Sequence, residues 1–182
     1  METNLCMAGF GGQGVMTLGK FLASATCDST DKNVTFFPSY GAEQRGGTAN
    51  CFVVISDGDI GAPLGDVMDE LIVMNEPSLT KFLPSLKKGG TLYINSSIVP
   101  EPEGRDDITV IKAPVTDLAH GLGNAKVLNV IMLGVYISYS RVIDPAIVWE
   151  TVEHKLAGKP ALLPLNKEAF EKGMEIGKSQ RR

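Results

Sequence analysis

Apolar residues occur along the chain either in short continuous runs or at helical spacing, and turn residues separate the two kinds of segment. Short apolar or β-branched runs bounded by turn residues are typical of strands, whereas apolar residues three or four positions apart are typical of helices. The predicted strands are residues 5–8, 34–37, 51–55, 71–74, 91–94 and 108–111. The predicted helices are residues 15–25, 116–120, 126–140, 145–157 and 167–177, with a further helix that starts at Pro77 and stops at the lysines and glycines of residues 87–90.

Strands alternate with helices through the first two thirds of the chain, which predicts an α/β fold whose sheet is covered on both faces. We therefore expect a three-layer α/β/α sandwich with a mostly parallel or mixed sheet. The 182 residues contain no internal repeat, no low-complexity tract and no linker, so one domain is expected over residues 1–182. A domain of that length buries about 70% of the surface that its unfolded chain exposes, which is enough for a core.

A glycine cluster of the form GxGxxG directly follows the first predicted strand and precedes the first predicted helix. Glycines at such a place permit a tight turn and let backbone N–H groups approach a phosphate at the helix N-terminus. A purely structural turn is the alternative, because close packing of a strand on a helix also requires glycine. The candidate ligand-binding residues of this motif are Gly9, Gly11, Gly12, Gln13 and Gly14.

Two nucleotide-binding interpretations of this cluster fail on neighbouring residues. A dinucleotide site expects an acidic residue at the end of the second strand, where this chain has Phe37, Pro38 and Ser39. Residues 14–20 nearly match the P-loop pattern GxxxxGK, but Phe21 follows in place of the Ser or Thr that binds magnesium. The dinucleotide interpretation therefore loses its main support and the P-loop is rejected, while an anion site and a structural turn both stay open.

A second polar, glycine-bearing segment lies between the second and third predicted strands. Functional residues concentrate in loops held by a rigid sheet, and arginine binds phosphate or carboxylate through two parallel hydrogen bonds. The alternative is an internal pair of Glu43 with Arg45 that orders the loop, and both interpretations are compatible. The candidate residues are Tyr40, Gly41, Glu43, Arg45, Gly46 and Gly47.

Composition and charge exclude several other classes. A net charge of −4 argues against nucleic acid as a partner. The start of the chain has no basic, apolar leader and the longest apolar run, residues 127–139, is too short to span a membrane, so we expect a cytoplasmic protein with a buried helix there. The three cysteines are too few and too widely spaced for a metal cluster and are expected to be buried, and the two histidines are expected to be solvated. No catalytic residue and no metal ligand is predicted.

Together, the two glycine motifs resemble the gamma subunits of 2-oxoacid:ferredoxin oxidoreductases. The resemblance rests on GFGGQGV at residues 9–15 and SYGAEQRGG at residues 39–47, and it continues through residues 49–57, 129–134 and 166–170. Pyruvate-type gamma subunits tend toward RGGQG and FFGxERRG, so the chain looks more like the 2-oxoglutarate and branched-chain types. The family usually has proline at the position of Ala42, a departure that removes no polar group.

The resemblance implies a subunit of an enzyme that oxidatively decarboxylates a 2-oxoacid with coenzyme A, giving acyl-CoA, carbon dioxide and reduced ferredoxin. It also implies that thiamine diphosphate and iron–sulfur clusters are held by companion subunits and that this chain alone binds no cofactor and is inactive. The implied partners are a thiamine-diphosphate subunit, a pyrimidine-side subunit and, in some complexes, a ferredoxin-like subunit, with self-association of the isolated chain.

What the chain itself contributes is then either a share of the coenzyme A site or a scaffold without a ligand. A free-standing dinucleotide-dependent oxidoreductase is the third alternative. We call residues 9–14 the glycine turn and residues 40–47 the arginine loop. If the first and second strands are parallel neighbours, the glycine turn and the arginine loop open on the same edge of the sheet and form one phosphate-binding surface.

Overall fold

The computed structural model describes residues 1–39, 48–63 and 65–181, which form one α/β domain around a six-stranded sheet. The strands are β1 (Glu2–Phe10), β2 (Asn33–Ser39), β3 (Thr48–Ser56), β4 (Met68–Val73), β5 (Leu86–Asn95) and β6 (Thr109–Ala113). The helices are α1 (Val15–Ser29), α2 (Glu76–Phe82), α3 (Val115–Gly121), α4 (Leu128–Ser140), α5 (Pro145–Lys155) and α6 (Leu163–Gln180). Short 3-10 turns occupy Leu83–Ser85, Ala125–Val127 and Pro160–Leu162.

The sheet is mixed, with strand order β2-β3-β1-β4-β5-β6. Strands β1, β4, β5 and β6 are parallel to one another, whereas β3 is antiparallel to both of its neighbours. The sequence suggested that the first and second strands are neighbours, and this was wrong. Strands β2 and β3 pair as an antiparallel ribbon, so β3 lies between β1 and β2. Strands β1 and β2 nevertheless run in the same direction, so their carboxyl ends share one edge.

The two faces of the sheet are covered unequally. The larger apolar core lies between one face and helices α1, α3, α4, α5 and α6. The smaller core lies on the other face under α2, where the rings of Phe52 and Phe82 meet edge to face at 6.3 Å. The predicted three-layer α/β fold is thus confirmed, with one thick and one thin helical layer.

Helix α4 is the most deeply buried helix, and its sequence accounts for that. Most side chains of Leu128–Ser140 are apolar and residues 128–138 are all buried, as expected for a helix enclosed on all sides. Glycines permit its close approach to α6: a Cβ on Gly173 would overlap the Ile131 carbonyl, and one on Gly134 would overlap the Phe170 carbonyl. The prediction of a buried helix at this apolar run is confirmed.

Lys87 to Gly90 do not close a helix, contrary to the sequence expectation. Helix α2 already ends at Phe82, because Pro84 lacks the N–H donor that would continue the helical hydrogen bonds, and a 3-10 turn over Leu83–Ser85 follows instead. The lysines and glycines instead begin β5, whose pairing with β4 is irregular between Met68 and Glu70. Gly89 has φ 73, which places it in the left-handed region that such an irregularity requires.

Candidate functional site

The glycine turn joins β1 to α1 at the carboxyl edge of the sheet. Gly12 has φ 95, and Gly14 has φ 72 and occupies the N-cap position of α1. Both are left-handed conformations that glycine adopts without steric cost. At Gly9 the reason for glycine is close packing instead, since a Cβ there would lie 2.6 Å from Gln13 Oε1 and 2.8 Å from Met74 Cβ.

Gln13 fixes the turn to the end of the neighbouring strand β4. Its Oε1 accepts a hydrogen bond from the Phe10 N–H at 2.7 Å, and its Nε2 donates to the Met74 carbonyl at 3.0 Å. Both ends of the amide are therefore committed to backbone groups of the protein. In this structure Gln13 positions the turn, and its predicted role in ligand binding stays a prediction.

Asn129 holds the other end of the turn. This buried residue of α4 donates from Nδ2 to the Gly14 carbonyl at 3.4 Å and accepts from the Val130 N–H at 3.0 Å. A Cβ on Gly14 would lie 2.6 Å from Asn129 Nδ2, so this contact also requires glycine. The predicted structural partner for Asn129 is thus found in the turn itself.

The remaining part of the turn is open. Gly11 and Gly12 are exposed, and a Cβ on either would meet nothing within 4 Å. Helix α1 has no side-chain cap and no acidic residue in its first turn. Its first N–H groups therefore have no side-chain acceptor and the positive end of its dipole has no acidic neighbour in the first turn, an arrangement that attracts anions.

Phe10 is a candidate that the sequence interpretation did not include. Its ring is 43% exposed directly before the two open glycines. Exposed aromatic rings beside an anion-accepting turn suit a ligand with both a phosphate and an apolar portion. The sequence signal that could have identified Phe10 is its position as the one large apolar residue within the glycine motif of residues 9–14.

The arginine loop lies outside the described residues, but its two ends are placed. Ser39 at the end of β2 is opposite Asn50, and Asn50 is opposite Ala8; Thr48 at the start of β3 is opposite Phe10. The loop thus leaves and re-enters the sheet at the edge that carries the glycine turn. The candidate residues Tyr40, Gly41, Glu43, Arg45, Gly46 and Gly47 stay predictions.

A carboxylate with a raised pKa lies elsewhere, in the first half of β4. Glu70 accepts hydrogen bonds from the phenols of Tyr93 at 3.0 Å and Tyr136 at 2.7 Å. Burial raises the pKa of Glu70, and the two phenols oppose that shift in part. Burial followed by the charge of Glu70 raises the pKa of Tyr93 and of Tyr136 above the ordinary range. Because these groups join α4 to the sheet, they form a structural cluster.

The three cysteines differ in burial. Cys6 and Cys51 are buried as expected, and burial raises the pKa of Cys51 to about 12. Cys27 is exposed, contrary to expectation, because it faces outward from α1, while both histidines are solvated as predicted.

In the described part of the chain, no group of three or more His, Cys, Asp or Glu side chains is placed to hold a metal. No helix within the described ranges has the length and apolar character needed to cross a membrane.

Comparison with known proteins gives consistent matches over nearly the whole chain. The family model described as pyruvate ferredoxin/flavodoxin oxidoreductase matches residues 4–176. The ketoisovalerate oxidoreductase subunit VorA of Methanothermobacter thermautotrophicus is 35% identical over 175 residues, which cover 96% of this chain and 36% of that protein. The 2-oxoglutarate synthase subunit KorC of Methanothermobacter marburgensis is 32% identical over 182 residues, which cover 97% of each chain.

A solved structure shares the fold. The gamma subunit of a keto/oxoacid ferredoxin oxidoreductase from Geobacter sulfurreducens superposes with a TM-score of 0.88 at 25% identity, covering 100% of this chain and 99% of that one. The chain spans about a third of the length of the ketoisovalerate subunit, so the same domain occurs both alone and within longer chains. The resemblance based on the two glycine motifs is confirmed: the chain belongs to the pyruvate ferredoxin/flavodoxin oxidoreductase family, as a gamma-type domain.

Proposed function

We propose that this chain is the gamma subunit of a cytoplasmic complex that oxidatively decarboxylates a 2-oxoacid with coenzyme A, giving acyl-CoA, carbon dioxide and reduced ferredoxin. In this proposal a thiamine-diphosphate subunit, a pyrimidine-side subunit and iron–sulfur centres on companions carry the chemistry. The observation that carries it is the family match over residues 4–176. We favour 2-oxoglutarate as the acid, because a 2-oxoglutarate synthase subunit matches this chain over 97% of both lengths.

Within that complex, we assign to the glycine turn the phosphate-bearing part of coenzyme A. Two features support this assignment: Gly11 and Gly12 leave open space, and the uncapped start of α1 offers N–H donors to an anion. The arginine loop begins and ends at the same edge, and we assign to Arg45 an additional charge-assisted bond to the phosphate. The turn is already fixed by Gln13 and Asn129, which keeps its donors in place.

The test compares the Michaelis constants of the reassembled complex for coenzyme A and for the 2-oxoacid. Gly11→Val is the preferred variant, because its position is open and its φ is not positive, whereas valine at Gly12 would be strained by φ 95. Blocking the phosphate should raise the constant for coenzyme A by about tenfold or more, equivalent to about 1.4 kcal/mol if the constant tracks binding. Gly158→Val, at another open position, is the matched control.

Arg45→Ala tests the loop separately. Loss of one charge-assisted bond of about 1.5–3 kcal/mol predicts a rise of roughly tenfold to a hundredfold in the same constant. The constant for the 2-oxoacid should change little in either variant. If both variants assemble normally and keep the wild-type dependence on coenzyme A, the assignment is wrong and the chain acts as a scaffold.

The scaffold interpretation is the second candidate, and one observation favours it. Gln13 and Asn129 both use their amides to hold the turn, so these two polar side chains are already engaged within the protein. Calorimetric titration of the isolated chain with coenzyme A distinguishes the two, since a scaffold predicts no heat of binding. The isolated chain should self-associate and should not reduce a viologen dye in either case.

A dinucleotide-dependent oxidoreductase is disfavoured by the sheet order. A doubly wound dinucleotide fold places its second strand beside the first, where an acidic residue reaches the ribose. Here antiparallel β3 occupies that place, and β2 ends without an acidic residue at Ser39. Binding of NAD by the isolated chain would be needed to restore this function.

A further inference from the structure

A groove of about 630 Å³ lies between the start of α5 and one side of α6, with the segment after α4 contributing to its wall. Its volume is within the range of roughly 300–1,000 Å³ that is usual for small-molecule sites. Ile143 and Phe170 are buried beneath it, and Trp149 and Met174 are half-buried. The rings of Trp149 and Phe170 lie with centroids 5.6 Å apart, so the groove offers an aromatic surface.

Cationic side chains surround this aromatic surface. Arg141, Lys167 and Lys178 are exposed in the lining, and none of them forms an ion pair with a described residue. Of the two acidic lining residues, Asp144 is engaged, since its Oδ1 accepts from the Ala146 N–H at 2.9 Å and caps α5. The lining therefore has one excess positive charge in a chain whose net charge is −4.

Arg141 is held in place by the end of α4. With φ 51 it is the one non-glycine residue with a positive φ in the described ranges, and its N–H donates to the Ile137 carbonyl at 3.1 Å. Glycine would close a helix in this conformation with less strain. The Arg141 side chain thus lines the groove from a backbone conformation that glycine would adopt with less strain.

We propose that this groove binds a small anion that carries a planar aromatic ring. The ring would pack against Trp149 and Phe170, and its anionic group would lie near Arg141, Lys167 and Lys178. Nucleoside monophosphates and aromatic carboxylic acids share this chemistry. The groove is separate from the glycine turn, because α4 starts beside Gly14 and its 13 residues extend about 20 Å before Arg141.

The single tryptophan of the chain, Trp149, lies in the groove and reports on its occupancy. We would titrate the full chain with AMP and with phenylacetate, and measure tryptophan fluorescence together with binding heat. Adenosine, benzyl alcohol and inorganic phosphate are the matched probes that lack either the charge or the ring. At least one of the two aromatic anions should bind saturably with a Kd below about 1 mM. The probes that lack its charge or its ring should bind at least tenfold more weakly. Which of the two anions binds identifies the source of the ligand.

Variants locate the site. Ala146→Phe adds a ring at an exposed lining position and should abolish binding, and Lys178→Gln should weaken it by about twofold to fivefold. Arg141→Gly removes the guanidinium while relieving the backbone, so weaker binding without loss of stability is expected. Lys155→Gln, farther along α5, is the control and should bind as the wild type does.

Three results would overturn the proposal. The first is that neither aromatic anion binds, and the second is that a neutral analogue binds as tightly as its anion. The third is that Ala146→Phe leaves binding unchanged.

Discussion

Glycines serve opposite purposes at the two places where this chain concentrates them. In the turn after β1, Gly11 and Gly12 face open space. Between α4 and α6, Gly134, Gly173 and Gly177 each lie so close to the other helix that a Cβ would overlap its backbone. The first region leaves the backbone accessible to a ligand, and the second brings two helices into backbone contact.

The difference shows that a glycine's role is decided by its surroundings and not by its motif. Even within GxGxxG the roles divide, since Gly9 and Gly14 are packed against Met74 and Asn129 while Gly11 and Gly12 are free. Added side chains should therefore destabilise the chain where glycine is packed or has a positive φ, and should be tolerated at the open Gly11. Four stability measurements test how the turn and the contacts of α4 are held, in order of decreasing effect.

The largest effect is expected for Gly173→Ala. The added methyl would overlap the Ile131 carbonyl and lie 3.0 Å from the Val135 nitrogen, so α4 and α6 would have to separate. Overpacking of this kind should lower the free energy of unfolding by about 3 kcal/mol, measured by urea denaturation. Gly121→Ala, at an open position at the end of α3, should change it by less than about 1 kcal/mol. Equal effects of the two substitutions would contradict the packing role.

A smaller loss is expected for Gln13→Ala. Both hydrogen bonds that attach the turn to Phe10 and Met74 would be lost, lowering the free energy of unfolding by about 2 kcal/mol. Gln180→Ala is the matched control, because the Gln180 amide also bonds a backbone N–H and a backbone carbonyl, both of Lys112. Both of those bonds are exposed, whereas the bond from Gln13 to the Met74 carbonyl is partly buried. A smaller loss for Gln180→Ala is expected in parallel urea titrations. The reverse order would show that the turn is held by other contacts.

The two open glycines should differ from each other in stability. Ala at Gly12 must adopt φ 95, which costs about 1–2 kcal/mol, whereas Ala at Gly11 needs no such conformation and should stay within about 0.5 kcal/mol of the wild type. Thermal and urea unfolding of the pair check this. A destabilised Gly11→Ala protein would mean that this position is packed after all.

The smallest effect concerns pH and the contact of α4 with the sheet. Burial raises the folded-state pKa of Glu70 above its ordinary 4.5, so the folded chain binds this proton more tightly than the unfolded chain does. Its contribution to stability is therefore full below pH 4.5 and is lost as pH rises through the raised pKa. Tyr93, Tyr136, Asp69 and Lys87 are the titratable groups that act on it.

Glu70→Gln should reduce the decline of the free energy of unfolding with rising pH, measured by urea denaturation from pH 4.5 upward. Asp69 does not confuse the result, because its pKa is lowered and its contribution is lost only at more acidic pH. Glu168→Gln, at an exposed position of α6, should leave the decline as in the wild type. An unchanged slope in Glu70→Gln would assign the pH dependence to other groups.

Local elements were predictable because their apolar spacing is strong. The strand before the glycine cluster, the helix after it and the buried helix at residues 127–139 all appear where the sequence placed them. The sheet order was not predictable, because spacing shows that a segment is a strand without naming its partner. The error at Lys87 to Gly90 has a similar origin, since glycine suits a helix end and an irregular strand pair equally.

The candidate site was predictable in place but not in the roles of its residues. The motif located the turn, yet the bonds from Gln13 to Met74 and from Asn129 to Gly14 join residues 61 and 115 positions apart. The aromatic groove gave no signal at all, because Arg141, Trp149 and Lys178 come together only after three helices have packed. Distances of this kind depend on tertiary structure and are absent from local patterns.

The bond from Gln13 to Met74 belongs to a longer series of amides along the carboxyl edge. Asn95 Nδ2 also donates to the Met74 carbonyl at 3.4 Å and to the Thr116 hydroxyl at 2.8 Å, so β1, β4, β5 and α3 are connected at their ends. A ligand that binds the glycine turn meets backbone that these hydrogen bonds already hold, so little conformational entropy of the turn is lost on binding. The fraction of the binding free energy that would otherwise order the turn is then available for holding the ligand.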